Sequence, residues 1–131
     1  MLIALERNSG QPVFRQITDQ VRFQVATGVL EAGSEIPSTR DLAARLGINP
    51  MTVSKAYAAL EAEGVLERRP GLALVVRGRN GPAREVEQRA ELARILRPAV
   101  AAARQLGMSA KAALDVYRKA LAERGDNDED V

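Results

Sequence analysis

The sequence predicts a mostly helical α+β fold: an N-terminal winged helix-turn-helix over residues 1–77, then a short two-helix segment over 78–125. Three observations predict it. Two short helical patterns meet at a tight turn of Gly47, Ile48 and Asn49. Two β-prone runs flank Pro70-Gly71 immediately afterwards. The chain after Pro82 is alanine-rich and keeps helical spacing almost to its end. The last residues, 126–131, read as an acidic, disordered tail.

Taken in order, the opening MLIALERNSGQ is a short apolar run followed by Asn-Ser-Gly, a strand or arm that ends in a turn. From Pro12 a helix begins. Phe14, Ile17, Val21 and Val25 recur at three-to-four spacing, and Gln16, Asp19, Gln20 and Arg22 occupy the other side. Gly28 stops it, and LEAGSEIPS forms a loop with one short extended segment at Ile36. Ser38 stands at a helix N-cap position with Asp41 three residues on as a capping-box partner. Leu42, Ala43 and Leu46 follow, and Gly47 closes that helix as a left-handed C-cap. Asn49-Pro50 is an N-cap followed by proline at the first helical position, where the missing N–H costs nothing. Val53, Ala56, Tyr57 and Leu60 make the buried stripe of this third helix, which ends near Gly64. Tyr57 is expected in the core with its hydroxyl at the edge. VLERRPGLALVV then reads as a hairpin with Pro-Gly at the centre of a type II turn, the wing of a winged helix.

Arg77 to Pro82 has linker composition. Beyond it, Val86, Ala90, Ala93, Leu96 and Val100 form one apolar stripe, and Leu92, Ile95, Ala99 and Ala102 form a second beside it. Pro98 is expected to kink or break this helix, because it lacks a donor and crowds the preceding turn. Gly107 ends the run and Ser109 caps a last helix with Ala113, Leu114, Tyr117 and Leu121 as its apolar face, terminated at Gly125. Two helices with such wide apolar faces need the winged helix, or a second copy of themselves, to cover them. A symmetric interface through Leu92, Leu96, Val100, Leu114, Tyr117 and Leu121 is the expectation, which makes the protein a homodimer.

Composition excludes several functions. With no Cys and no His, structural zinc, thiol chemistry, disulfides and Ser-His or Cys-His catalysis are ruled out, although a carboxylate-only magnesium or calcium site stays formally open. Aromatics are 3% of the chain with no Trp, so stacking platforms for single-stranded nucleic acid are not expected. No apolar run reaches membrane-spanning length and no leader pattern opens the chain, so the reading is a cytoplasmic protein without a membrane partner. It is not read as an enzyme, and no cofactor is expected. The net charge of +2 hides an asymmetry. Without Asp126, Asp128, Glu129 and Asp130 the remainder carries 19 basic and 13 acidic residues, a body that tolerates a polyanionic partner.

Residues 12–76 resemble the DNA-binding domain of the GntR family of bacterial transcription regulators, through PVFRQITDQV, GVLEAGSEIPSTRDLAARLGI and TVSKAYAALEAEGVLERRPG. The stretch from Asn49 to Tyr57, with only a short two-helix part after the wing, resembles the YtrA-type subfamily. The resemblance implies a homodimer that binds an inverted-repeat operator in double-stranded DNA and represses, with transporter genes as its targets. It also implies contacts from Ser38, Thr39 and Arg40 after Pro37, from Asn49, Thr52, Ser54 and Lys55 in the major groove, and from Arg68, Arg69 and Gly71 in the wing. Two departures stand out. The third helix offers Lys55 where many members place arginines, and Ala73 stands where the family wing has its second glycine.

Each of these residues also has a structural reading. A cation in the first turn of a helix opposes the helix dipole, so Arg40 gains nothing structurally and points to a DNA contact. Lys55 lies one turn into the recognition helix, in place for DNA. The hydroxyls of Thr52 and Ser54 either meet DNA or bond back to their own helix, and Asn49 is a good N-cap in its own right. Arg68 and Arg69 alternate faces on a strand, so at most one reaches DNA directly. Phe23 lies off the main stripe, as a domain-interface or a dimer residue. The arginines of the far helix alternate with Glu85, Glu87 and Glu91, which describes a solvated face with ion pairs. Residue chemistry thus points to a sequence-specific DNA-binding protein, which the resemblance implies is a repressor, with a protein–protein assembly module of the same fold as the alternative. The chain after Val76 is too short for the large pyridoxal-phosphate domain that some family members carry. No residue specifies a small-molecule effector.

Overall fold

The computed structural model describes residues 1–71, 73–78 and 82–129. Its elements are α1 (Val13–Thr27), α2 (Thr39–Leu46), α3 (Pro50–Ala62), β1 (Leu66–Arg68), β2 (Leu74–Val76), α4 (Pro82–Gln105) and α5 (Ala110–Glu129). The two strands pair antiparallel with Leu66 opposite Val76 and Arg68 opposite Leu74. A third edge is supplied by the loop before α2, where Glu35 bridges Val75 and the Ile36 amide donates to the Leu74 carbonyl at 3.0 Å. This is the short extended segment expected at Ile36.

Local signals set most of these boundaries. The Ser38 hydroxyl accepts from the Asp41 amide at 3.1 Å, and the Asn49 side chain accepts from the Met51 amide at 2.9 Å, so both helices of the pair start on a side-chain cap. At Gly47, with φ of 67°, α2 ends in the left-handed conformation, and the following Ile48 amide reaches back to the Ala43 carbonyl. That one residue turns the chain sharply enough to set α3 against α2. α3 is the central element. α1 and α2 both pack on it, and Val53, Ala56, Tyr57 and Leu60 are buried with Ile17, Val21 and Leu42 in one core. All three residues of β2 are buried, so the sheet closes the core from the wing side.

Several expectations need correction. Phe14, placed on the buried stripe of α1, is 36% exposed, whereas Gln16 and Thr18 are buried. The reason is that residues 1–6 lie along α1 and cover the flank that carries Gln16, Gln20 and Gln24. The arm itself was expected. α4 runs unbroken through Pro98, which is exposed, so that residue does not break the helix. α5 runs past Gly125 to Glu129, since a single glycine costs only about 1 kcal/mol and no proline follows to stop the helix. The expected tail, 126–131, therefore falls on the end of α5 and, at 130–131, outside the described residues. Leu72 in the wing turn and 79–81 in the expected linker also lie outside them. Gly71 has the positive φ, 74°, that the third position of a type II turn requires.

Residues 1–91 and 92–131 form two compact units. The division falls inside α4 and not at 77/78. The first turns of α4 belong to the winged helix, because Gln88 donates to the Ala26 carbonyl at 3.3 Å and Arg84 lies against Gly28 at the end of α1. In the second unit, Gly107 and Met108 close α4 on the carbonyls of Arg104 and Ala103, and the Ser109 hydroxyl caps α5 through the Ala112 amide at 3.1 Å. Among the described residues no helix is long and apolar enough to cross a membrane.

Candidate nucleic-acid interface

Three segments carry the residues singled out in the sequence, and the fold ties them together. The first is the start of α2. Ser38 is committed to capping, Thr39 is half-buried, and Arg40 is exposed with no ion pair among the described residues. The second is the start of α3. Asn49 is engaged as the N-cap, and Met51, Ser54 and Lys55 are exposed, with Thr52 half-buried. No hydrogen bond among the described residues occupies the hydroxyl of Thr52 or Ser54, and no carboxylate neutralises Lys55. The Tyr57 hydroxyl joins these two segments by donating to the Pro37 carbonyl at 2.9 Å, which fixes the start of α2 against the body of α3. Burial pushes the Tyr57 hydroxyl up to about 12, partly opposed by Arg45, so it stays a donor at any physiological pH.

The third segment is the wing. Arg68 and Arg69 are both exposed, and both have carboxylate neighbours: Arg68 Nε lies 3.7 Å from Glu61 of α3, and Arg69 Nε donates to Glu67 at 2.9 Å. These exposed pairs contribute little to stability and exchange readily for another anion. They do mean that the two wing arginines face two glutamates, Glu67 of the hairpin and Glu61 of α3, whereas Arg40 and Lys55 of the helix-turn-helix have no ion pair among the described residues. Sequence reasoning missed two of these. Arg45, on the last turn of α2, and Arg7, beside Gly47, are also exposed and free of ion pairs among the described residues. Arg45 was readable only as a helix C-terminal cation, and Arg7 only as part of an arm whose path was unknown.

Another arginine is structural. Arg22 donates to both oxygens of Glu63 at 2.7 and 2.6 Å and to Asp19 at 3.0 Å, locking α1 to the end of α3. Its pKa is raised further, chiefly by the Glu63 hydrogen bond, against the opposing effect of burial. Among the described residues no cluster of carboxylates could hold a metal ion.

A helix-turn-helix with capped, cation-bearing helix starts, followed by a two-stranded wing whose second strand is buried, places the chain among the winged helix-turn-helix proteins. Comparison with known proteins narrows the class. Residues 14–76 match the profile of the bacterial regulatory proteins of the gntR family. The chain is 39% identical over 66 residues to the HTH-type transcriptional repressor YtrA of Bacillus subtilis, an alignment covering 50% of this chain and 51% of that protein. It spans about half the length of that relative and of a Mycobacterium tuberculosis regulator 37% identical over 67 residues. Among solved structures, YtrA from Sulfolobus acidocaldarius, a GntR-family transcription factor, is 30% identical with a TM-score of 0.55, over 92% of this chain and 97% of that one. A transcriptional regulator from Oenococcus oeni is 28% identical with a TM-score of 0.66, over 92% and 99%. The chain belongs to the GntR family, and it is similar to YtrA-type members through the C-terminal helices as well as the winged helix.

Proposed function

We propose that the protein is a sequence-specific transcriptional repressor in the cytoplasm that binds an inverted-repeat operator in double-stranded DNA as a homodimer. The observation that carries this reading is the state of the two helix starts. Arg40, Thr52, Ser54 and Lys55 are accessible at the N-terminal turns of α2 and α3 with their polar groups unengaged, while the structural work there is done by Ser38, Asn49 and Tyr57. In a helix-turn-helix the second helix enters the major groove by its N-terminal turn and the first crosses the backbone. Arg40 then meets phosphate, and Lys55 with a hydroxyl of Thr52 or Ser54 reads base edges. Arg68, Arg69 and Gly71 border the neighbouring groove. Ser38, Thr39 and Asn49 contribute position and backbone amides, since two of the three side chains are caps.

The homodimer is supported by the second unit. Leu92, Val100, Leu114, Tyr117 and Leu121 are all exposed in the single chain, and Leu96 lies between them half-buried. So many exposed apolar side chains on two helices are covered best by the same surface of a second copy. Within residues 78–125, the part from Leu92 onward then serves as the dimerisation segment. By similarity to YtrA-type members the regulated genes are transporter genes. The testing experiment is selection of bound fragments from random duplex DNA with the full chain. It is expected to return a palindromic site with one half-site per protomer. Failure to enrich any sequence, with binding insensitive to salt, supports the protein-assembly role instead.

A further inference from the structure

We propose that Arg7 is an additional phosphate contact, delivered to the helix-turn-helix by an N-terminal arm that α1 holds through a ladder of glutamines. The proposal rests on the DNA-binding reading above. Gln16, Gln20 and Gln24 stand four residues apart on one face of α1. Gln16 accepts from the Glu6 amide at 2.8 Å and donates back to the Glu6 carbonyl at 2.9 Å. Gln20 does the same with Ala4, at 2.9 and 2.6 Å. Gln24 donates to the Leu2 carbonyl at 2.6 Å. The registers match because four residues of helix advance about 6 Å and two residues of extended chain advance about 6.6 Å. Every second arm residue therefore meets a glutamine, and the arm runs antiparallel to α1. The alternate residues Met1, Ile3 and Leu5 pack against the core, so the arm is held from both sides.

The ladder ends at Glu6, and its last clamp is the strongest: Gln16, buried, also donates to the Ser9 hydroxyl at 3.2 Å and the Gln11 carbonyl at 2.9 Å. Arg7 is thus bracketed between two points fixed by one side chain. Its Nη2 lies 4.0 Å from where a Cβ on Gly47 would stand, beside the turn that joins α2 to α3. It is exposed, and neither the adjacent Glu6 nor any other carboxylate among the described residues pairs with it. The C-terminal carbonyls of α2 favour a cation here, but no hydrogen bond uses the guanidinium. A fork of donors next to the turn, and not on the first turn of α3, suits the backbone and not a base edge. The ladder is made of neutral amides, so it positions the charge without adding salt dependence of its own.

The test measures binding of the full chain to the selected duplex and to a random-sequence duplex across a range of salt concentrations. Arg7→Ala is expected to weaken both by a similar factor and to reduce the log–log salt slope by about 1 per bound protomer. Arg7→Lys should keep most of the slope. Gln16→Ala, which removes the clamp on both sides of Arg7, should lose part of it, and Arg7→Ala with Gln16→Ala should lose no more of the slope than Arg7→Ala alone. An unchanged slope for Arg7→Ala overturns the proposal, as does a lower melting temperature with unchanged slope, which identifies Arg7 as a cap of α2 only. A wild-type protein that binds neither duplex in a salt-dependent way overturns the DNA-binding reading itself, and with it this one.

Discussion

Removing one oxygen, by Tyr57→Phe, tests the join between the two helices of the motif. Tyr57 is 3% exposed and its hydroxyl donates to the Pro37 carbonyl at 2.9 Å. The phenylalanine keeps the ring packing, so the loss is one hydrogen bond plus a carbonyl with no donor, about 1–2 kcal/mol at neutral pH. For a folding unit of this size that lowers the melting temperature by roughly 4–8 °C per kcal/mol. The same hydroxyl sets a pH dependence. Burial raises it from 10.0 to about 12, so the unfolded chain ionises at lower pH than the folded one. The stability due to the neutral hydroxyl is complete below pH 10 and is lost as pH rises through 12, by up to ~3 kcal/mol. Urea unfolding at fixed protomer concentration, at neutral pH and across this alkaline range, measures both effects. The chain has two tyrosines, so a Tyr117→Phe background leaves Tyr57 alone to be titrated by tyrosinate absorbance. Equal stability of Tyr57→Phe and wild type at neutral pH, or a Tyr57 midpoint near the ordinary value for tyrosine, refutes the reasoning.

Arg40→Ala should weaken binding to all duplexes alike, whereas Lys55→Ala should relax preference at one position per half-site, by about 1–3 kcal/mol against the wrong base; repeated selection on each variant decides. Arg69→Ala should lower affinity and leave the preferred sequence unchanged, and an altered preference would mean that the wing reads sequence. Glu67→Gln, which frees Arg69, should raise non-specific affinity and steepen the salt slope in the same titrations. Leu96→Asp or Leu114→Asp should give monomers with intact winged helices and much weaker operator binding; in sedimentation, a stable dimer of either variant would place the interface elsewhere.

Where the chain reports local chemistry, the sequence was legible. Ser38, Gly47 and Asn49-Pro50 each act within four residues of themselves, and they sufficed to locate α2, the turn and α3. Tyr57 was recognisable as a core residue with a polar end because its neighbours at helical spacing are Val53, Ala56 and Leu60. What stayed hidden depends on distant partners. Gln16, Gln20 and Gln24 have the pattern of a solvated face, and only the path of the arm shows that they bind backbone. Arg22 has the spacing of a surface charge, and its partner Glu63 lies forty-one residues away, beyond the reach of local pattern. Pro98 and Gly125 misled for the opposite reason: each is a real local penalty, outweighed by the helical preference of the alanine-rich segments around it. At the candidate interface the residue types were legible, but their freedom was not, since a sequence does not show which hydroxyls and cations are already spoken for.

On the proposed DNA-binding reading, that distinction decides how the protein meets its operator. Every wing arginine has a glutamate at hand, Glu61 or Glu67, so the hairpin presents little net charge to a distant polyanion. Arg7, Arg40, Arg45 and Lys55 have none among the described residues, and they cluster on the arm, the two helix starts and the end of α2. In the proposed complex, long-range attraction therefore acts chiefly on the helix-turn-helix. For the wing to reach phosphate in that complex, Arg68 and Arg69 must exchange their weak surface pairs with Glu61 and Glu67. With one lysine and two hydroxyls at the reading turn of α3, and no arginine to grip guanine, each base contact discriminates modestly. Specificity then depends on holding that turn in one register on the duplex. On the proposed reading, phosphate contacts at either end of the motif, from Arg40 and from the arm, set this register, and rigid attachment through Ser38, Tyr57 and the glutamine ladder would serve base readout without touching a base.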